Sequence, residues 1–410
     1  MRVITGALRT VAVTSLLTVL GVAPPVAGPP LPPAEEQVLG ELLPLELLAD
    51  GVTHREFTTT DAAGRVRGDV IEVDLADPQV RTDLLTPGAV AARSTVAKMA
   101  DARGAVAAVN GDFFDLGRTS APAGPAVAGG DPLKAAVPQG RRLAPAVPGA
   151  EVDDVFAVGA DRRATIDRLT LEATATSRRG AAPVVVVPVV ALNQYAIPVG
   201  GVGLFTADWG AASRAGSVCG SDTDAAAGCA PDVREVLVSD GVVTAVSPRA
   251  GEGQLAPTEV VLLGRDGGAE ALRSLQVGDR VQVDYRLVPE SGRTPRFAVG
   301  GSPILRDGAA TERLDDSARA PRSGAAVSPD GRRMYLVTID GRQAASVGAT
   351  LAEFAALLHQ LGGDDGMNLD GGGSSTLVYR KPGERQVTVV NDPSDSAPRM
   401  VPNGIGVFSS

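Results

Sequence analysis

The chain has 410 residues, 44% of them hydrophobic and 21% charged, so it folds, and it is longer than one typical domain. A formal net charge of −10 excludes nucleic acid as an expected partner, because a phosphate backbone is met by a basic surface. Any anion this chain binds has to be met by local arginines.

Residues 1–28 place Arg2 and Arg9 ahead of an apolar run, Val11 to Val22, followed by small residues and prolines. That is the order of a secretory signal, with cleavage between Ala23 and Gly28 and no stable membrane span left afterwards. The proline-rich stretch that follows, within residues 29–50, reads as a flexible lead-in. Val52 to Thr60 and Val66 to Leu75 alternate apolar and polar residues as half-buried strands do, around an Asp61-Ala62-Ala63-Gly64 turn. Thr95 to Arg103 has helical spacing and stops at Gly104. The buried strand Ala105 to Val109 then runs into Asn110-Gly111-Asp112-Phe113-Phe114-Asp115. Polar residues at a strand end, backed by two aromatics, are either a shaped site or an Asn-Gly turn over buried phenylalanines.

Strand-like runs and turns alternate from Asp153 to Leu192, and Trp209, the one tryptophan, reads first as core and otherwise as a loop residue that stacks on a sugar ring. Further strands at Val233 to Val246, Thr258 to Leu263 and Asp279 to Leu287 suggest a β-rich insertion or small second domain over 181–290. It would divide a main domain into an N-terminal part, 51–180, and a C-terminal part, 291–410. Cys219 and Cys229 lie ten apart in a loop-like run, which predicts a local disulfide in an exported chain. Two histidines, His54 and His359, and no spare cysteine pair exclude a structural zinc site.

In the last third Arg322 opens an apolar strand, and Met334 to Ile339 is a buried strand ending in Asp340-Gly341-Arg342. Thr350 and Glu353 form a capping box, and Leu351, Phe354, Leu357, Leu358 and Leu361 make one apolar stripe, so a helix runs to the stop at Gly362-Gly363. His359 lies off the stripe, on the surface. The chain then reaches Asn368-Leu369-Asp370-Gly371-Gly372-Gly373-Ser374-Ser375, which reads as strand, tight turn, strand. Three glycines together are costly, so something must come close to this backbone. Successive amides of Gly371, Gly372 and Gly373 can face an anion such as a phosphate, with Asp370 on one side and the hydroxyls of Ser374 and Ser375 on the other. Taken alone, the same stretch also suits a glycine-rich hairpin with a turn aspartate.

In their order, the Asn110 to Phe114 segment, Arg322-Ser323-Gly324, Thr338 to Arg342, the Gly348 to Leu361 helix, Asn368 to Thr376 and Arg399 to Val407 resemble the phosphodiester glycosidase family over roughly residues 60–408. Ser323 stands where relatives often carry threonine. The resemblance implies an α+β fold: a mixed β-sheet core with packed helices, and here the β-rich insertion. It also implies hydrolysis of the bond between a sugar's anomeric carbon and an esterified phosphate.

Such a leaving group is a weak base, so charge stabilisation matters more than proton donation. Arg322 and then Arg399 are the expected phosphate ligands, since a guanidinium grips phosphate bidentately. Asp370 is expected to face the reacting carbon with Asp112 as its partner, while Asn110 and Asn368 orient sugar hydroxyls. Asp340 and Arg342 are a further acid and phosphate ligand, or an Asp-Gly turn with a surface arginine. No cofactor is expected, although Asp112, Asp340 and Asp370 together could hold a calcium ion. The rival reading is a non-catalytic envelope protein that binds anionic glycans.

Overall fold

Strand-forming sequence dominates the chain, and it folds almost entirely as antiparallel sheet. The structure, a computed structural model, describes residues 41–145, 147–178 and 184–409. The secretory segment and the proline-rich start of the lead-in lie outside the described residues; the end of that stretch forms short strands, Glu41–Leu42 and Glu46–Ala49.

The alternating runs form the hairpin Val52–Asp61 and Gly64–Asp74, closed at the Asp61–Gly64 pair as the turn residues predict. This hairpin belongs to a nine-stranded sheet. From it the order continues through Arg333–Ile339, Arg322–Val327, Asp365–Asn368 and Ser302–Arg306. A five-stranded sheet lies against it, with Ala107–Asn110 between Leu377–Tyr379 and Gly404–Phe408. Ile71, Val73 and Leu336 of the larger sheet share one core with Val109, Leu377 and Ile405 of the smaller.

Each sheet's outer face carries one helix. Leu351–Gln360 seats Phe354, Leu357 and Leu358 on Val70, Ala326 and Val337, and its capping box is formed by Thr350 and Glu353. Val96–Arg103 seats Val96, Met99 and Ala100 on Ala108 and Val378. A third sheet, holding Asp154–Gly159, Ala164–Ser177 and Pro295–Gly300, joins the central core through Phe156, Phe297 and Val299.

A fourth sheet is built from Ala191–Leu192, Val202–Phe205, Val233–Ser239, Val242–Ser247 and Glu259–Arg265. Trp209 is fully buried beside it, edge-on to Phe205, and donates its indole N–H to the Ala212 carbonyl at 2.9 Å. Cys219 and Cys229 are disulfide-bonded on a loop from this sheet. Val281–Pro289, within the stretch expected as an insertion, pairs instead with Ala164–Ser177 of the third sheet.

The expected α+β class is therefore corrected: the protein is predominantly β, 42% strand against 10% helical, with three α-helices among the described residues. One well-specified helix gave the sequence an α+β look. The partner of each buried sheet face is mostly another sheet; two helices cover the outer faces and the short Gly267–Leu272 packs on the fourth sheet.

Candidate active site

The stretch from Asn368 to Thr376 does not turn back on its own sheet. Asp365–Asn368 belongs to the nine-stranded sheet and Leu377–Tyr379 to the five-stranded one, so the glycines carry the chain across the seam between them. Each glycine has its own reason. A Cβ on Gly371 would stand 2.7 Å from the Pro321 carbonyl, Gly372 is left-handed at φ 60°, and a Cβ on Gly373 would overlap Arg399 Nη2 and the Asp395 carboxylate.

The crossover is pinned to the start of the 110–115 segment. Asp370 N–H donates to the Gly111 carbonyl at 2.9 Å, and Asn110 Nδ2 donates to the Asp370 carbonyl at 2.6 Å. Asn110 Oδ1 accepts from Ser323 Oγ at 2.7 Å and from Thr376 N–H at 3.0 Å. Asn110, expected to orient a sugar hydroxyl, is thus spent on bolting the two sheets together.

Asp370 is half-buried, and burial lifts its carboxyl to about 7. The Ser374 hydroxyl and the Arg399 cation pull the other way, and the Asp112 charge adds to the lift. Asp112 is buried: its N–H donates to Asn403 Oδ1 at 2.9 Å, and its Oδ2 accepts from Gly124 N–H at 2.6 Å. Burial lifts this carboxyl to about 6, held from going further by the Gly124 N–H and the Lys134 and Arg142 cations. The charge of Asp112 therefore reaches Asp370, the more open of the two acids.

Arg399 lies over the crossover. Nε and Nη2 donate to Asp395 Oδ2 at 3.2 and 2.8 Å, and Nη1 donates to Ser374 Oγ at 3.3 Å. Arg342 is exposed, in a left-handed conformation at φ 61°, and a Cβ on Gly372 would stand 3.2 Å from its Nη1.

Arg322 is not brought to this group. It is buried on the helix side of its sheet, where Nε and Nη2 donate to the Ala349 and Ala318 carbonyls at 2.9 and 2.8 Å. Gly324 and Ala326, on the same face by strand alternation, touch that helix, while Ser323 points to the seam. The parity of Ser323 and Gly324 was the available signal. The expected amide cradle is also altered: Gly372 N–H donates to the Pro321 carbonyl at 2.9 Å, and Ser374 and Ser375 N–H close back on Gly371 and Gly372.

Asp340 stands apart. Its Oδ1 accepts from Asp392 N–H at 2.8 Å, and burial, with the Asp69 and Asp392 charges adding, takes it to about 6. Among the described residues no group of three or more carboxylate, histidine or cysteine side chains that could hold a metal ion is found. Among the described residues, Asn368 Oδ1, Ser375 Oγ, Thr376 Oγ1, Asn403 Nδ2 and Thr338 Oγ1, all near the seam, are buried with no protein partner. Buried polar groups are normally satisfied, so these atoms call for partners beyond the protein's own. Lys134 and Arg142 went unread in the sequence, since each is a lone residue outside any motif, and Asn403, although within the Arg399 to Val407 segment, was not singled out. Phe113 and Phe114 are buried and form no open wall.

A carboxyl raised to about 7, a second buried carboxyl and an adjacent arginine make this seam the candidate active site. Residues 232–408 match the sequence model of the phosphodiester glycosidase family. This stretch contains Asp370, the glycine crossover and Arg322, Arg342 and Arg399, whereas Asn110, Asp112 and Lys134 precede it. No curated protein matches the chain.

Among solved structures, a hypothetical protein from Synechocystis is similar at 21% identity and a TM-score of 0.67, over 88% of this chain and 62% of that one. The chain thus spans less than two thirds of that protein's length. A Burkholderia pseudomallei protein described as exported is similar at 20% identity and the same TM-score, over 95% and 98% of the two chains. These likenesses show the fold alone. The catalytic domain of zebrafish N-acetylglucosamine-1-phosphodiester alpha-N-acetylglucosaminidase is matched at 14% identity over 90% and 88%, with a TM-score of 0.44, which carries no argument. Among the described residues no helix is long and apolar enough to cross a membrane.

Proposed function

We propose that this protein is a secreted hydrolase that cleaves the bond between a sugar's anomeric carbon and the phosphate of a sugar-1-phosphodiester. The observation that carries the reading is the meeting of Asp370, Asp112 and Arg399 at a seam with orphaned buried polar atoms. Asp370 takes the proton of the attacking water, a role that suits a carboxyl raised to about 7 better than nucleophilic attack, which wants a fully ionised group. The Asp112 charge raises its proton affinity. Arg399 and Arg342 meet the phosphate oxygens, whose departure needs little acid assistance. Water attack in one step inverts the anomeric centre.

N-acetylglucosamine-1-phosphodiesters and cell-envelope glycopolymers are the first substrates to try. Export is supported by the order of residues 1–28 and by the disulfide. The test is release of free reducing sugar from a panel of sugar-1-phosphodiesters. Wild type should turn over, and Asp370→Asn should lose about 10²- to 10⁴-fold in kcat with an unchanged melting curve. Binding without release by the wild type would instead favour a glycan-binding envelope protein, and full activity in Asp370→Asn would remove Asp370 from the mechanism.

A further inference from the structure

Lys134 has no solvent exposure. An ammonium in such a place is costly unless it is paired and hydrogen-bonded, and a strand end that needed only volume would be served by methionine or leucine. Its Nζ donates to the carbonyls of Ala123 at 3.0 Å, Gly124 at 3.2 Å and Ala135, which uses all three protons. Carbonyls satisfy those protons and leave the charge unanswered. The answering charge is Asp112: burial lowers the Lys134 amine to about 7, and the Asp112 carboxylate holds it from falling further.

Gly124 joins the two. Its carbonyl takes a Lys134 proton while its N–H holds Asp112 Oδ2 at 2.6 Å. The carboxylate is also boxed in: a Cβ on Gly300 would stand 2.7 Å from Asp112 Oδ2, and one on Gly124 3.2 Å from it. The remaining charged or titratable groups facing Asp112 are Arg142, Tyr195 and Asp370. Arg142 Nη2 already donates to the Gly301 carbonyl and to Ser302 Oγ, and the Tyr195 hydroxyl donates to the Arg141 carbonyl.

We propose that Lys134 is a positioning residue: through the Gly124 peptide it fixes the Asp112 carboxylate next to the crossover that carries Asp370, and it supplies the cation that faces that carboxylate. It touches neither substrate nor reacting atoms. Its kinetic consequence rests on the hydrolase reading, but its effect on Asp112 does not, and the experiment separates the two.

Carbon-13 NMR of aspartate-labelled full-length protein, with the Asp112 signal identified by its loss in Asp112→Asn, should show a midpoint near pH 6. In Lys134→Met the midpoint should rise by about one pH unit or more, since a nearby cation favours the charged carboxylate. An unmoved midpoint in a folded Lys134→Met protein overturns the proposal. Should that variant fail to melt cooperatively, nitrogen-15 titration of Lys134 in the wild type decides: a neutral amine at pH 6 refutes it, and a charged one upholds it. In turnover, Lys134→Met should lower kcat while KM changes less than about twofold, the pattern of a group that does not touch substrate. A wild type without turnover would count against the hydrolase reading alone, and the Asp112 midpoint would still decide the role of Lys134.

Discussion

Asp370 and Asp112 carry the same functional group in different surroundings, and the difference assigns their tasks. Asp370 is half-open, with Ser374 and Arg399 on it, whereas Asp112 is enclosed by Gly124 and Gly300. A base that must be ionised gives kcat/KM an acid limb near pH 7, falling about tenfold per pH unit below it. Asp112→Asn removes a like charge, so Asp370 ionises more readily and the limb should move to lower pH; a limb that moves up would contradict the coupling. The arginines divide in the same way. Arg399→Ala should raise KM with little change in melting, while Arg322→Met loses the bonds to the Ala318 and Ala349 carbonyls and should cost about 1–3 kcal/mol in stability with KM unchanged. The two aspartates were legible in sequence because each sits in a polar, glycine-bearing strand end. Arg322 was ranked first because strand position reveals the face a residue takes only when its neighbours' parity is read with it. Lys134 was invisible: a single lysine in Asp131–Lys134 looks like surface, and only tertiary burial makes it otherwise.

At the scale of elements, the helix Leu351–Gln360 and the crossover at Gly371–Gly373 show what local sequence can and cannot specify. A capping box and an apolar stripe are made by residues three and four apart, so the helix forms where they say. The crossover and a hairpin have the same local sequence, strand then turn then strand, and differ only in which distant strands the two flanks join. Glycines placed for close approach of Pro321 and of the Arg399–Asp395 pair look, in one dimension, like glycines placed for a ligand. This makes Gly373→Ala informative. Its methyl must displace Arg399 or Asp395, so phosphate affinity should fall at least about tenfold with the melting temperature little changed. Gly117→Ala, where a Cβ would meet nothing within 4 Å, should leave both where they were. Equal effects at the two positions would mean that Arg399 has no part in binding.

At the scale of the whole molecule, the acid pair exists only because two sheets are closed against one another, and the stretch that matches the phosphodiester glycosidase family supplies only part of each. In the smaller sheet, Leu377–Tyr379 and Gly404–Phe408 do not pair with each other; Ala107–Asn110 lies between them and bonds to both. In the larger, Arg333–Ile339 takes its outer partner from Gly64–Asp74 over seven residue pairs. A fragment of residues 232–408 therefore lacks the central strand of one sheet, exposes a long unpaired edge on the other, and leaves Ile71, Val73 and Val109 out of the shared core. Fully burying such a side chain is worth about 1.5–3 kcal/mol, so losing these three removes an amount comparable with the whole net stability of a domain. The fragment should show no cooperative thermal transition, expose apolar surface to a hydrophobic dye, and release no sugar, even though it holds Asp370, the glycines and Arg399. Adding residues 41–231 as a separate chain should restore a melting transition, because the missing strands are contiguous pairing partners. A fragment that melts sharply and turns over alone would show that Asp370 needs neither Asp112 nor the seam, and would place the chemistry wholly within the C-terminal half.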